Sequence, residues 1–133
     1  MPTFKNPDVV YPPLGPYSHI ASVPSAAELV FFSGQIGNRL DGSIGTTLGE
    51  QATQAFENIR LLLRAEGLTV ADVIKLVVYI VAGQDAEPVR AARIDCFGTA
   101  RPASTTLYVP ALLNPDWLIE VDVTAARVAS MSP

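Results

Sequence analysis

The chain has 133 residues, of which 49% are hydrophobic and 17% are charged, and its formal net charge is −4 at pH 7. This size and composition predict a single compact domain over residues 1–133 and argue against disorder. The nine lysines and arginines are scattered along an acidic chain, which argues against nucleic acid as the main partner, and one cysteine and one histidine are too few for a structural zinc site.

The first residues, MPTFKNPDVV, lack the basic and apolar regions of a signal peptide. The longest apolar run, VIKLVVYIVA, is too short for a membrane span and contains a lysine. We therefore expect a cytoplasmic protein without a membrane partner. Four prolines disfavour helix in the N-terminal part, which should consist of strands and loops; they are Pro12, Pro13, Pro16 and Pro24.

The first well-defined strand is ELVFFSGQI at 28–36, an apolar run that turns polar at Ser33 and Gly34. A glycine at this point allows a ligand or another backbone to approach closely. The pair Asp41-Gly42 that follows is a turn signal.

The clearest element is a helix over residues 47–66, where apolar side chains recur at three- and four-residue steps. Thr47 and Glu50 have the spacing of a capping box, and Gly67 stands where a left-handed C-cap is expected. The run VIKLVVYIVA at 73–82 is apolar in both alternating phases, which predicts a central strand covered on two sides.

A second helix is predicted after Asp85, which we assign as its N-cap, and Gly98 ends it. The last strands are predicted at 104–109 and 118–128. The order β-β-α-β-α-β-β predicts an α+β fold in which two helices cover one face of a sheet.

The strand at 118–128 indicates what lies on each face of that sheet. One phase is apolar and should face the helices: Ile119, Val121, Val123 and Ala125. The other phase is too apolar for open solvent and too acidic for a dry core: Leu118, Glu120, Asp122, Thr124 and Ala126. Such a face often packs against another subunit and leaves wet pockets there, so we expect a homo-oligomer.

Glu120 is the first candidate for chemistry, because a carboxylate in the middle of this strand would be partly desolvated and suited to proton transfer. The alternative is an interface acid that pairs with Arg90 or Arg93. These two arginines share one helix face, where they could bind an anion or serve as ordinary surface charges.

Tyr17 lies in the stiff segment LGPYSH, where it can orient a substrate or a water, or pack as a surface aromatic. Ser33 has no G-x-S-x-G context, and the single histidine, His19, belongs to another strand, which argues against a serine triad. Cys96 is interpreted as a small buried hydrophobic residue.

Four segments match a known family in order and spacing: GPYS at 15–18, VFFSGQI at 30–36, QAFENIRLLLRAEG at 54–67 and LIEVDVTA at 118–125. Over nearly its whole length the chain resembles the RidA/YjgF family of enamine/imine deaminases, also known as L-PSP endoribonucleases. The resemblance implies a chorismate-mutase-like α+β domain, a homotrimer whose three sheets form a central barrel, and ligand clefts between subunits.

The resemblance also implies an activity and its residues. In active members, 2-aminoacrylate or a related imine is hydrolysed to a 2-keto acid and ammonia, without metal or cofactor. The water-positioning glutamate of the family corresponds to Glu120, its tyrosine to Tyr17 and the serine of SGQ to Ser33. The residues expected to hold the substrate's carbonyl group are Ser33, Gly34, Ser104 and Thr106.

One position departs from the family pattern. Active deaminases open the penultimate strand with P-A-R-[ST], whose arginine pairs with the substrate carboxylate, whereas residues 102–105 here read PAST, so Ser104 replaces the arginine. Arg101 precedes the proline by one position, and alternation along a strand predicts that it lies outside the site. We therefore expect an imine, enamine or related electrophile without the usual carboxylate, unless Arg90, Arg93 or Arg101 substitutes.

Two other functions stay open. The missing arginine motivates a non-catalytic trimer that binds a small ligand and regulates a partner or a metabolic step. The ribonuclease label is supported least, because one histidine and a net negative charge provide few of the acids, bases and cations of phosphate chemistry.

Overall fold

A computed structural model of the chain describes residues 1–129. These residues form an α+β domain, as predicted, with a short pair of strands preceding a four-stranded sheet and two helices. The elements are β1 (Thr3–Lys5), β2 (Ile20–Ser22), β3 (Glu28–Phe31), α1 (Leu48–Ala65), β4 (Val73–Val81), α2 (Glu87–Phe97), β5 (Ala103–Val109) and β6 (Ile119–Arg127). Within this part of the chain, no helix is both long and apolar enough to cross a membrane.

The main sheet is mixed, with strand order β3-β6-β4-β5. β4 and β5 are parallel and joined through α2, whereas β6 is antiparallel to both β3 and β4. β1 and β2 form a separate antiparallel pair. β4 is thus a central strand, as its apolar sequence predicted.

The segment predicted as one strand at 28–36 is regular only as far as Phe31. Beyond it, the Phe32 N–H donates to the Val123 carbonyl at 3.3 Å, and Gln35 and Val121 exchange two backbone hydrogen bonds. Between its pairings with β6 at Phe31 and Gln35, this segment has one residue more than β6, which is the arrangement of a β-bulge. The bulge spans Ser33 and Gly34.

Helix α1 begins after Thr47, whose hydroxyl oxygen accepts a hydrogen bond from the Glu50 N–H at 3.2 Å. The predicted capping box is only half formed, because the Glu50 carboxylate accepts from the Thr47 hydroxyl at 3.0 Å rather than from its N–H. Gly67 follows the helix at φ 72°, as expected for a left-handed C-cap. The inward stripe of α1 is fully buried: Ala52, Ala55, Phe56, Ile59 and Leu63.

Helix α2 begins at Glu87 with Ala86 as its N-cap, so the prediction of Asp85 as N-cap is wrong. The Asp85 carboxylate accepts from the Glu87 N–H at 3.0 Å, a contact typical of an N-cap, but the helix begins one residue later than Asp85 as N-cap would require. Gly98 ends the helix at φ 56°. The buried side chains of α2 are Val89, Arg93 and Phe97, which form a four-residue repeat along the face against the sheet and α1.

The two faces of the sheet differ as the sequence of β6 predicts. Ile119, Val121 and Val123 are at most 1% exposed beneath the helices. On the opposite face, Glu120, Asp122 and Thr124 are half-buried. Several apolar side chains of the strands are exposed in the single chain. Those on the same face of the sheet as Glu120, with their exposed fractions, are Leu29 (47%), Phe31 (74%) and Leu107 (38%).

Candidate functional site

The residues predicted to form the site lie in two groups on opposite faces of the sheet. Glu120 pairs with Tyr79 of β4, on the face away from the helices. Ser104 pairs with the fully buried Leu76, and Thr106 with the fully buried Val78, so both belong to the helix-covered phase of the edge strand β5. Because β4 lies between β5 and β6, the two groups are also about two strand spacings, or roughly 10 Å, apart across the sheet.

The first group brings Glu120 against the bulge at Ser33 and Gly34. A Cβ atom on residue 34 would overlap a carboxylate oxygen of Glu120 and lie 2.8 Å from its Cδ. Glycine at position 34 is therefore what allows the carboxylate to rest on the backbone. Ser33 is exposed beside it, and the Gln35 side-chain amide donates to the Ser33 carbonyl at 3.2 Å.

The Glu120 carboxylate has neither an ion pair nor a side-chain hydrogen bond with any residue in the range 1–129. The alternative of an acid paired with Arg90 or Arg93 is therefore not found within the protomer. A half-buried carboxylate with free lone pairs can accept a proton from a water or hold that water by a hydrogen bond.

The second group lies at the start of β5. The Ser18 N–H donates to the Pro102 carbonyl at 3.0 Å, and this contact holds the segment 15–18 along the edge of the sheet. The Tyr17 hydroxyl oxygen accepts from the Leu14 N–H at 3.1 Å. The predicted tyrosine is therefore fixed at this edge, on a different surface from Glu120 of the same protomer.

The Tyr17 ring also meets His19 edge-on, with ring centroids 5.9 Å apart. His19 Nε2 lies 2.7 Å from the Tyr11 carbonyl, and its backbone N–H donates to the Asn6 side chain. Through these contacts, His19 holds the N-terminal segment at Asn6 and Tyr11 in place. No contact joins His19 to Ser33, which agrees with the argument against a serine triad.

Arg93 is the residue whose place the sequence did not reveal. It is 8% exposed, and it donates from Nη1 to the Ser104 hydroxyl at 2.9 Å and from Nη2 to the Pro16 carbonyl at 3.0 Å. A guanidinium therefore lies beside the position from which the family arginine is missing, but it comes from α2. The available signal was the spacing of Arg93 four residues from both Val89 and Phe97, which places it on the inward face.

The surroundings of Arg93 leave its charge uncompensated. No carboxylate of residues 1–129 forms an ion pair with it. Burial lowers the pKa of the Arg93 guanidinium, and the positive charge of Arg101 lowers it further. Arg101 itself is exposed and donates to the carbonyls of Gly98 and Ala100 at 2.7 and 2.9 Å, so its side chain binds the C-terminal end of α2.

A cavity of about 220 Å³ lies next to Arg93. Its walls combine apolar side chains from β4, α2 and the segment 14–17 with a few polar groups, and Thr106 and Tyr17 are among the polar ones. Arg90 lies at its exposed side. This second group is thus a small cavity with positive charge, lined by residues of one protomer.

Cys96 does not contribute a nucleophile. Burial raises the pKa of its thiol to about 11, and the thiol lies 3.6 Å from the Phe56 carbonyl. A thiol with this pKa is almost entirely protonated near neutral pH and is a poor nucleophile.

Comparison with known proteins places this architecture in a family. The family model described as Endoribonuclease L-PSP matches residues 9–127. A RutC family protein of Pyrococcus horikoshii is 33% identical over 121 residues, which cover 86% of this chain and 90% of the relative. A Salmonella typhimurium protein named 2-iminobutanoate/2-iminopropanoate deaminase is 31% identical over 119 residues, covering 86% and 89%. The crystal structure of the Rid-family protein YyfB from Yersinia pestis matches with a TM-score of 0.84 at 30% identity, covering 95% of this chain and 98% of that one. The chain therefore belongs to the RidA/YjgF family, also described as the L-PSP endoribonuclease family, as its sequence predicted.

Proposed function

We propose that the protein is a cofactor-free hydrolytic deaminase of small imines or enamines, with Glu120 positioning the attacking water. The observation that carries this proposal is the Glu120 carboxylate resting against the Gly34 backbone, half-buried and without a cation partner in residues 1–129. A carboxylate already paired with arginine or lysine would be a weaker proton acceptor. Relatives named as 2-iminobutanoate/2-iminopropanoate deaminases support the reaction class.

In the proposed reaction, Glu120 accepts a proton from the water as its oxygen bonds to the imine carbon, and the imine nitrogen takes up one proton from solvent. The product of this step is a carbinolamine. Glu120 then returns its proton to the nitrogen, the carbon–nitrogen bond breaks and ammonia leaves, and the hydroxyl group releases its proton to solvent, so that a carbonyl compound remains. The sum is addition of one water and release of one ammonia, which needs neither a metal nor an oxidant.

We further propose that the working site is shared between copies of the chain in a homotrimer. Within one protomer, Glu120 and the group at Tyr17, Ser104 and Thr106 lie on opposite faces of the sheet. A neighbouring copy whose β5 edge meets the open face would bring the two groups together. The exposed Phe31 and Leu29 on that face give such a contact apolar area to bury.

The test is turnover by Glu120→Gln, which keeps the shape of the side chain and removes its basicity. Imines are generated in situ from 2-aminobutanoate and from larger amino acids, and carbonyl formation above an enzyme-free blank is followed. We expect kcat/KM to fall by roughly 10²- to 10⁴-fold. Asp122→Asn is the matched control, because Asp122 is the next side chain of β6 on the same face, and it should retain wild-type turnover.

Two results would contradict the proposal. One is equal turnover by the wild type and Glu120→Gln; the other is no turnover by either on any imine, including esters and amides. In the second case, binding of a small ligand without turnover would favour the alternative of a regulatory ligand-binding trimer.

A further inference from the structure

We infer that Arg93 is the anion-binding residue of this protein, and that its ligand is a small aliphatic carboxylate held in the cavity between α2, β5 and the segment 14–17. The inference rests on the proposed deaminase function and specifies the substrate class of the same site. It also revises the expectation from Ser104 that the substrate lacks a carboxylate.

The first argument is the charge of Arg93. Its side chain is buried, and its two acceptors among residues 1–129, the Ser104 hydroxyl and the Pro16 carbonyl, are both neutral. Arginine stays protonated in proteins, so this site holds a full positive charge without a counterion in residues 1–129. Burial of an unpaired charge is costly, and an anionic ligand would supply the missing partner.

The second argument is the geometry of the donors. Ser104 and Pro16 each take one hydrogen bond from a different nitrogen of the guanidinium. These two contacts fix the plane of the group, and the remaining N–H donors, which have no partner in residues 1–129, are free for a ligand. Charge-assisted contacts of a fixed guanidinium to a carboxylate are among the strongest hydrogen bonds in proteins.

The third argument is the shape of the cavity. Its volume is about 220 Å³, roughly the liquid volume of seven water molecules. Leu14, Val78 and Val89 form its apolar walls. Such a cavity fits an acid with a short aliphatic chain, and it is too small for a nucleotide.

Ser104 acquires a role in this arrangement. The serine that stands in the place of the family arginine accepts the hydrogen bond that orients Arg93. An arginine at position 104 would place a second positive charge against the Arg93 guanidinium. Arg93 on the helix therefore requires a small neutral acceptor at position 104 on the strand.

Binding of stable carboxylates to the wild-type protein tests the inference without requiring turnover. Calorimetric titration with sodium 2-oxobutanoate is compared with titration by neutral 2-oxobutanamide and by inorganic phosphate. We expect 2-oxobutanoate to bind at least about tenfold more tightly than the amide and more tightly than phosphate. Arg93→Gln should weaken 2-oxobutanoate binding by roughly 10- to 100-fold, whereas Arg60→Gln, which removes an exposed arginine of α1, should not.

Arg93→Lys covers the case in which Arg93→Gln does not fold, since lysine keeps the positive charge but lacks the planar guanidinium. This variant should bind 2-oxobutanoate more weakly than the wild type and more tightly than Arg93→Gln. Equal affinity for the acid and the amide, tighter binding of phosphate than of the acid, or undiminished binding by a folded Arg93→Gln would each overturn the inference. Arg93-dependent binding of the acid with no turnover would uphold the inference and reject the deaminase function. Glu120-dependent turnover of neutral imines alone would uphold the deaminase function and reject the inference about Arg93.

Discussion

Replacement of Gly34 by alanine tests whether the Glu120 carboxylate must rest where the structure has it. A Cβ on residue 34 would lie 2.8 Å from Glu120 Cδ, and ordinary contact begins about 0.6 Å further out. The φ of Gly34 is not positive, so alanine brings no backbone strain. The carboxylate must therefore move by at least about 0.6 Å, and displacements near 1 Å at a reacting group cost up to about 10²-fold in rate.

We expect Gly34→Ala to lower kcat/KM by roughly 10- to 100-fold, equivalent to about 1.4 to 2.7 kcal/mol of barrier. The assay is the turnover of imine generated in situ, with thermal unfolding to verify the fold. Gly49→Ala is the matched control, since its new methyl group would lie 3.5 Å from Pro88, an ordinary contact. A folded Gly34→Ala with wild-type kcat/KM would refute a site built on this carboxylate position.

Two further predictions concern assembly and the half-buried thiol of Cys96. Phe31→Asp puts a charge on the open face, so light scattering should show smaller species than the proposed trimer. Leu40→Asp, in a fully exposed turn, should leave the mass unchanged. An unchanged mass for Phe31→Asp would contradict the proposed interface. Cys96 should react slowly with a disulfide reagent at pH 8 and faster as the pH approaches about 11. Since folding raises the pKa of this thiol, the thiol's contribution to the free energy of unfolding should be complete below about pH 9 and lost between pH 9 and about 11. Rapid reaction of the folded protein at pH 8 would contradict the raised pKa.

The sequence predicted the fold well because hydrophobic periodicity determines which faces are buried. The alternation in β6 predicted the helix-covered phase at Ile119, Val121 and Val123, and all three are buried. The errors lie at element ends, where local hydrogen bonds decide between neighbouring residues. Asp85 accepts the Glu87 N–H but is not the N-cap, and the strand predicted to Ile36 becomes a bulge after Phe31.

The site was predicted less completely, because its residues come from elements whose contacts no local pattern specifies. Glu120 and Gly34 were both candidates, yet their contact depends on the register between the bulge and β6. From the sequence, Arg93 could bind an anion, pair with Glu120 or serve as a surface charge, and its four-residue spacing from Val89 and Phe97 indicates an inward direction. That it reaches Ser104 follows from the packing of α2 over β5, which is a tertiary property.

The most direct test of the shared site is a mixture of two subunits that are each defective in one group, Glu120→Gln and Arg93→Gln. The two proteins are unfolded together, refolded at equal amounts and assayed on 2-iminobutanoate generated in situ. If each site takes Glu120 from one copy and Arg93 from the next, random assembly of a closed ring restores both groups in about a quarter of the sites. We predict recovery of about a quarter of wild-type turnover, against almost none for each variant refolded alone. No recovery in mixed assemblies, with each variant folded and oligomeric, would contradict a site shared between copies of this chain.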